Sequence, residues 1–183
     1  MLKVGELSRT FQMYWDDMQR CRTGKAYWSL LHVTVCLPDI CAALQASDGR
    51  TTGVRYVTWC DQHLVDAMLS GEERYSMRCK VLHEGRASLD KSGRYSGFAF
   101  TQPAPGGQVD HRRVDGKTLI LEVGSLSTEY ETAVRGWIRT IEANLAGGDA
   151  INVEKNLQTI VQVRQKPMPT TVPGVFILNN RTS

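Results

Sequence analysis

The stretch from residue 26 to residue 46 limits the possible folds more than any other part of the sequence. Its apolar side chains point in nearly every direction around a helix, and it is long enough for about six turns. A helix that is apolar all round is buried, so we expect the remaining elements to pack around it. Pro38 lies inside the stretch and lacks a backbone N–H, which predicts a kink near Leu37 or a division into two helices.

Apolar residues at helical spacing predict further helices on both sides of this stretch. Ser70 and Glu73 form a capping box that predicts a helix start, and Gly85 is placed to end that helix in a left-handed conformation. Thr128 and Glu131 have the same spacing and predict a second helix start. The further predicted helices cover residues 11–22, 56–69, 72–83, 128–145 and 152–164.

The pattern changes in residues 95–123, which we interpret as a β insertion. Residues 95–101 alternate and contain aromatic side chains, which is typical of a strand. Asp115-Gly116 separates two further strand-like runs and is a strong signal for a two-residue hairpin turn. The prediction is one mainly α domain, an antiparallel helical bundle with a small antiparallel hairpin or meander before the last long helix. Its parts are a four-helix core over 11–85, the β insertion, C-terminal helices over 128–164 and a tail over 165–183.

Composition narrows the class of protein. Hydrophobic residues make up 42% and charged residues 22% of the 183 residues, close to the average for a soluble globular domain. We find no run that approaches 18 apolar residues and no signal peptide, so we expect no membrane span. Five cysteines without a disulfide framework favour reduced thiols, so we expect a cytoplasmic protein.

Positive charge is concentrated between Arg74 and Arg94. This segment holds six basic and two acidic residues, a net charge of +4, compared with +3 for the whole chain. Such a concentration attracts a phosphate backbone, although a solvated helix face would explain the same charges. We therefore interpret Arg74, Lys80 and Arg86 as candidate contacts to RNA phosphates.

Arg78 and His83 form an Arg-x4-His pair inside this basic segment. An arginine can bind a phosphoryl group and stabilise the negative charge that grows on it. A histidine can take a proton from a ribose 2′-hydroxyl or give one to a leaving 5′-oxygen. These two roles suffice to cleave RNA, but not DNA, without a metal ion. Asp39 is a candidate partner that would orient Arg78, and a surface position for Asp39 is the alternative.

The spacing of this pair raises a geometric problem. A straight α-helix places residues five apart about 140° from each other, so Arg78 and His83 do not share one face. They can act together only if the helix unwinds at His83 or if a cleft wraps around the helix end. Gly85 favours the first of these two solutions, because glycine readily leaves the helical conformation.

An arginine and a histidine four to six residues apart, late in a bundle helix, resemble the signature of the HEPN family. The resemblance implies a metal-independent endoribonuclease that leaves 2′,3′-cyclic phosphate ends, with Arg78 and His83 as catalytic residues and no cofactor. It also implies a homodimer whose two motifs share a cleft. Many HEPN proteins are toxins or act in anti-phage defence, which makes an antitoxin or another protein a candidate partner. Gly85 stands where some HEPN proteins carry a tyrosine, so we expect no tyrosine modification there.

A second hypothesis explains the same residues without catalysis. A silent helical bundle would bind RNA, a nucleotide or a protein partner, with Arg78 in a structural ion pair and His83 capping its helix. Cys60 and His63 could begin a metal site, but no second pair has ligand spacing, so we expect no metal. Trp59 and Trp137 are expected in the core rather than in a stacking platform.

Overall fold

The computed structural model describes residues 2–88, 94–104, 106 and 109–160. Within them the chain is mainly helical, with a small three-stranded sheet between the fourth and fifth α-helices. A short π-helical segment, here called the π segment, directly follows the fourth α-helix. The elements are α1 (Glu6–Thr23), α2 (Tyr27–Gln45), α3 (Gly53–His63), α4 (Gly71–Cys79), the π segment (Lys80–Glu84), β1 (Gly97–Thr101), β2 (Arg113–Asp115), β3 (Thr118–Glu122), α5 (Val123–Ala143) and α6 (Gly148–Leu157).

Helix α2 is the centre of the bundle, as its apolar pattern predicts. It contacts each of the other five α-helices, and Leu30, Leu37 and Leu44 are among its buried side chains. Pro38 lies inside an unbroken helix, so the prediction of two separate helices is wrong. Packing on several sides holds the helix together across Pro38, although the proline supplies no helical N–H to the preceding turn.

The composition of α2 also passes a simple test for a membrane span. It is the one helix among the described residues that is long and apolar enough to cross a membrane. One such helix is weak evidence for a span, because the core helix of a soluble protein meets the same criteria, so the expectation of no membrane span stays a prediction. In the structure 50% of the most apolar 18 residues of α2 are buried inside the chain.

Two of the predicted helix termini are confirmed at α4 and the π segment. The Ser70 side chain accepts a hydrogen bond from the backbone N–H of Glu73, and the Glu73 carboxylate accepts one from the backbone of Ser70. The capping box therefore forms as predicted. Gly85 follows the π segment with φ of +60°, the left-handed conformation expected at that position. Helix α4 itself ends at Cys79, and the π segment continues the predicted helix to Glu84.

The predicted start at Thr128 is wrong, because α5 begins earlier, at Val123. The carboxylate of Glu122 accepts hydrogen bonds from the backbone N–H groups of Gly124 and Ser125 and so caps the helix. Thr128 lies inside the helix and donates to the carbonyl of Gly124 at 3.0 Å. Helix α6 begins at Gly148, before its predicted start at residue 152. The predicted tail over 165–183 lies outside the described residues.

The sheet is mixed rather than an antiparallel meander. The strand order is β1-β3-β2, with β3 antiparallel to β2 and parallel to β1. The hairpin is confirmed, but its two turn residues are Gly116 and Lys117, because Asp115 pairs with Thr118. Strand β3 takes the central place because Leu119, Ile120 and Leu121 are all buried, and a continuous apolar run is typical of a strand covered on both faces.

Candidate functional site

The structure brings Arg78 and His83 into contact. The Nη1 atom of Arg78 lies 2.9 Å from the Nε2 atom of His83. His83 belongs to the π segment, in which backbone hydrogen bonds run from residue i to i+5. A turn of this width returns the chain to nearly the same face after five residues. The expected change of helix geometry at His83 is therefore present, as a wider turn rather than an unwound end.

The contact specifies which nitrogen of His83 is free of a proton. Every nitrogen of an arginine side chain can only donate, so the Nε2 atom of His83 accepts the hydrogen bond from Arg78. A proton on Nε2 would place one N–H against another, and the contact would open. In this arrangement His83 is in the form that can take a proton, and its side chain is exposed at the surface.

Asp39 anchors the other side of the Arg78 guanidinium. The Nε atom of Arg78 donates to the Oδ2 atom of Asp39 at 2.7 Å, which links α4 to α2. The side chains of Arg78 and Asp39 are only 19% and 15% exposed. Burial opposes the charge of Arg78, but the hydrogen bond and the charge of Asp39 outweigh burial and raise the pKa of Arg78. The predicted contact is confirmed, while the role of Asp39 in orienting Arg78 for catalysis stays a prediction.

Arg74 is not available to a phosphate, which corrects the sequence interpretation. Its side chain has no exposed surface. Its guanidinium lies 5.3 Å from the centre of the buried Tyr130 ring. The Nη2 atom of Arg74 forms an ion pair with Asp66 at 3.1 Å. Helix α4 packs against α3, and Arg74 lies on its buried side, where a charge needs a carboxylate partner.

Lys80 and Arg86 differ in their access to solvent. The Nζ atom of Lys80 contacts both carboxylate oxygens of Glu84, at 2.8 and 3.0 Å, and the Lys80 side chain is 12% exposed. Arg86 is 66% exposed and lies 3.6 Å from the same carboxylate. Arg86 is therefore open to a phosphate from solvent, whereas the Lys80 ammonium is mostly buried and already paired with Glu84. The positive field is weaker than the sequence count indicates.

A second charged cluster joins the sheet to the bundle. Arg112 contacts Asp66 in the turn before α4 and also Glu129 on α5, with 2.8 Å to the latter. Its backbone φ is +64°, a conformation that costs energy for a residue other than glycine. Arg74, Asp66, Arg112 and Glu129 line a cavity of about 580 Å³. Since these two cations and two anions pair with each other, we interpret the cluster as structural.

Asp66 gives this cluster a measurable pH dependence. Burial raises the pKa of Asp66, but the N–H of Met68 and the charges of Arg112 and Arg74 outweigh burial and hold that pKa below its ordinary value. A carboxyl group with a lowered pKa stabilises the fold above its ordinary pKa, and this stability is lost as the pH falls through the lower value. Asp66→Asn should therefore flatten the fall in unfolding free energy between about pH 5 and pH 2, measured by urea unfolding. An unchanged acid slope would contradict this assignment.

Cys60 and the two core tryptophans have the environments that their patterns indicate. Burial raises the pKa of the Cys60 thiol to about 12, which keeps it protonated and a poor metal ligand. Trp59 and Trp137 are 2% and 1% exposed, so their assignment to the core is confirmed. Among the described residues, no three or more His, Cys, Asp or Glu side chains are grouped as metal ligands.

Comparison with known proteins gives no family assignment. No protein-family model, no curated protein and no solved structure matches the chain.

Proposed function

We propose that this chain is a metal-independent endoribonuclease of the HEPN type. The observation that supports the proposal is the 2.9 Å contact between Arg78 and the exposed His83. This contact joins a phosphate-binding group to a proton acceptor on one face of a helix. The ion pair between the Nε atom of Arg78 and the carboxylate of Asp39 fixes the position of the guanidinium. Arg86, which is 66% exposed, can bind a neighbouring phosphate.

The proposed reaction begins when the scissile phosphate replaces His83 as the acceptor of the Arg78 Nη1–H. The Nε2 lone pair of His83 is then free to take the proton of the ribose 2′-hydroxyl. The 2′-oxygen attacks the phosphorus atom, and Arg78 stabilises the added negative charge while its Nε atom stays on Asp39. The bond from phosphorus to the 5′-oxygen breaks, which gives a 2′,3′-cyclic phosphate end and a 5′-oxygen that takes up a proton.

The proton for the leaving 5′-oxygen requires an acid, and one His83 cannot supply it while acting as the base. A homodimer with two Arg-x4-His pairs in a shared cleft would provide a second, protonated imidazole. The HEPN resemblance implies such a dimer. A cytoplasmic nuclease of this kind would act as a toxin or in anti-phage defence, and would need an antitoxin or another protein partner to restrain it.

The test is cleavage of a mixed structured RNA in excess EDTA. We expect wild-type protein to release fragments with 2′,3′-cyclic phosphate ends, and His83→Ala to lower the rate by about 100- to 10,000-fold, because the proton acceptor is lost. His83 is exposed, so circular dichroism should show an unchanged fold. A matched control is Arg20→Ala, because Arg20 is an exposed arginine on α1 that pairs with Asp17. If the RNA stays intact at protein concentrations where the chain is dimeric, the proposal is wrong.

The second candidate is a catalytically silent module that binds RNA, a nucleotide or a protein. The observation that favours it is the ion pair between Arg78 and Asp39, because it links two helices and would stabilise the bundle without any substrate. Under this reading, His83 accepts a hydrogen bond from Arg78 and completes the end of its helix. Arg78→Ala distinguishes the two candidates. In a nuclease it lowers the cleavage rate, whereas in a silent module it lowers only the unfolding free energy.

A further inference from the structure

Trp28, near the start of α2, is the one tryptophan of the chain with an exposed ring. It is 56% exposed, whereas Trp15, Trp59 and Trp137 are each 4% exposed or less. A tryptophan side chain gains much more stability when it is buried than when it lies in water. The fold therefore leaves most of this indole open to a bound partner.

His32 fixes the position of this indole. The Nδ1 atom of His32 donates to the carbonyl oxygen of Trp28 at 2.8 Å. The two ring centres are 4.5 Å apart and the rings are inclined by 69°, an edge-on contact. The two rings therefore adjoin each other near the start of α2.

Trp28 and His32 lie on the same line along α2 as Asp39. The 11 residues from Trp28 to Asp39 span about 16 Å along the helix axis and end about 20° from the starting direction. Val35 lies between them on this line and is buried, and Asp39 is only 15% exposed, so the line joins the exposed Trp28–His32 pair to the inner side of the Arg78 site. Asp39 and Arg78 form one end, and the Trp28–His32 pair forms the other. The exposed Lys25 adds a positive charge beside the Trp28 end.

We propose that Trp28 and His32 stack an unpaired base of the RNA strand whose phosphate Arg78 binds. This inference deepens the proposed function and rests on it for RNA as the ligand. Aromatic side chains stack any nucleobase, because every base has a flat π-face. A base inside a duplex is already stacked on both sides and cannot reach the indole. The substrate is therefore a single strand or a loop, selected by strandedness rather than by sequence.

Tryptophan fluorescence tests this subsite selectively, because acrylamide quenches an exposed indole far more than a buried one. The probe is a single-stranded DNA oligonucleotide, which carries bases and phosphates but no 2′-hydroxyl, so it stays intact. With the full chain, we expect the oligonucleotide to protect Trp28 from acrylamide. Trp28→Ala should weaken binding of the oligonucleotide about tenfold, as is typical for the loss of one base–aromatic stack.

Four controls separate base stacking from charge attraction. A duplex of the same sequence, and an abasic strand of the same length, should bind wild type and Trp28→Ala equally. Trp28→Phe keeps an aromatic ring and should restore most of the affinity. Ile151→Ala changes another exposed apolar side chain, on α6, and should bind like wild type.

Two results would overturn the inference: equal affinity of wild type and Trp28→Ala for the single strand, or equal protection of Trp28 by the duplex. Because the probe cannot be cleaved, this outcome is independent of the nuclease proposal. Cleavage of RNA without a Trp28 effect contradicts the subsite alone. A Trp28 effect without cleavage supports the subsite and contradicts the nuclease alone.

Discussion

Replacing Arg78 with alanine is expected to slow RNA cleavage about 100- to 1,000-fold, because a positioned donor to the reacting phosphate is lost. The loss should fall on kcat more than on KM, since Arg86 remains exposed to attract the strand. The variant should remain folded, with an unfolding free energy lower by about 1 to 3 kcal/mol, between the values for exposed and buried ion pairs. Single-turnover rates in EDTA and urea unfolding measure the two effects.

Asp39→Asn distinguishes a role of Asp39 in positioning Arg78 for catalysis from a purely structural role in stabilising the fold. Asparagine keeps the shape and one acceptor oxygen but removes the charge that holds Arg78. If Asp39 positions Arg78, this change lowers kcat by a smaller factor, and the double variant is no slower than Arg78→Ala alone. If the ion pair is only structural, Arg78→Ala lowers the stability, Asp39→Asn restores part of that stability in the double variant, and wild-type protein does not cleave RNA. The second pattern would contradict the nuclease and support the silent module.

Replacing Arg74 with alanine is expected to destabilise the chain by about 3 kcal/mol. The change leaves Asp66, which is only 7% exposed, without one of its two arginine partners, and it removes the cation beside the Tyr130 ring. Removal of one member of a buried ion pair costs about 3 to 5 kcal/mol. The remaining contact from Arg112 to Asp66 places the expected value at the lower end. The midpoint of urea unfolding should fall while the slope stays constant.

Two comparisons identify the cause of that destabilisation. Arg74→Met combined with Asp66→Asn removes both charges but keeps most of the volume, so it should be more stable than Arg74→Ala. Arg20→Ala, at an exposed position, should change the unfolding free energy by less than about 0.5 kcal/mol. If Arg74→Ala is as mild as Arg20→Ala, then the buried ion pair does not stabilise the fold as described.

Local and strongly constrained features of the fold were predictable from the sequence. The all-round apolar pattern of residues 26–46 predicts a central helix, since such a helix has to be buried. The box at Ser70 predicts a helix start because its donors and acceptors lie within four residues. The same pattern at Thr128 failed because the carboxylate of Glu122 caps the helix six residues earlier. The parallel pairing of β1 was not predictable, because alternation of side chains carries no information about the direction of a neighbouring strand.

The candidate site was predictable in its residues but not in its geometry. Residue chemistry singles out Arg78, His83 and Asp39, and the structure joins the three. The charge of Arg74 gave no sign of burial, because its partner Asp66 comes from the turn before the helix. The exposure of Trp28 was not predictable, because it belongs to the most apolar stretch, where an aromatic side chain is expected in the core.

The π segment also changes what the spacing between the arginine and the histidine means. In a regular α-helix, residues four apart are about 40° from each other, so three intervening residues would bring such a pair together without distortion. Here four residues intervene, and the wider turn over Lys80–Glu84 absorbs the additional one. The number of intervening residues and the width of the turn therefore compensate each other. Comparable sites in other chains are better identified by the rotation between the two side chains around the helix axis than by a fixed number of intervening residues.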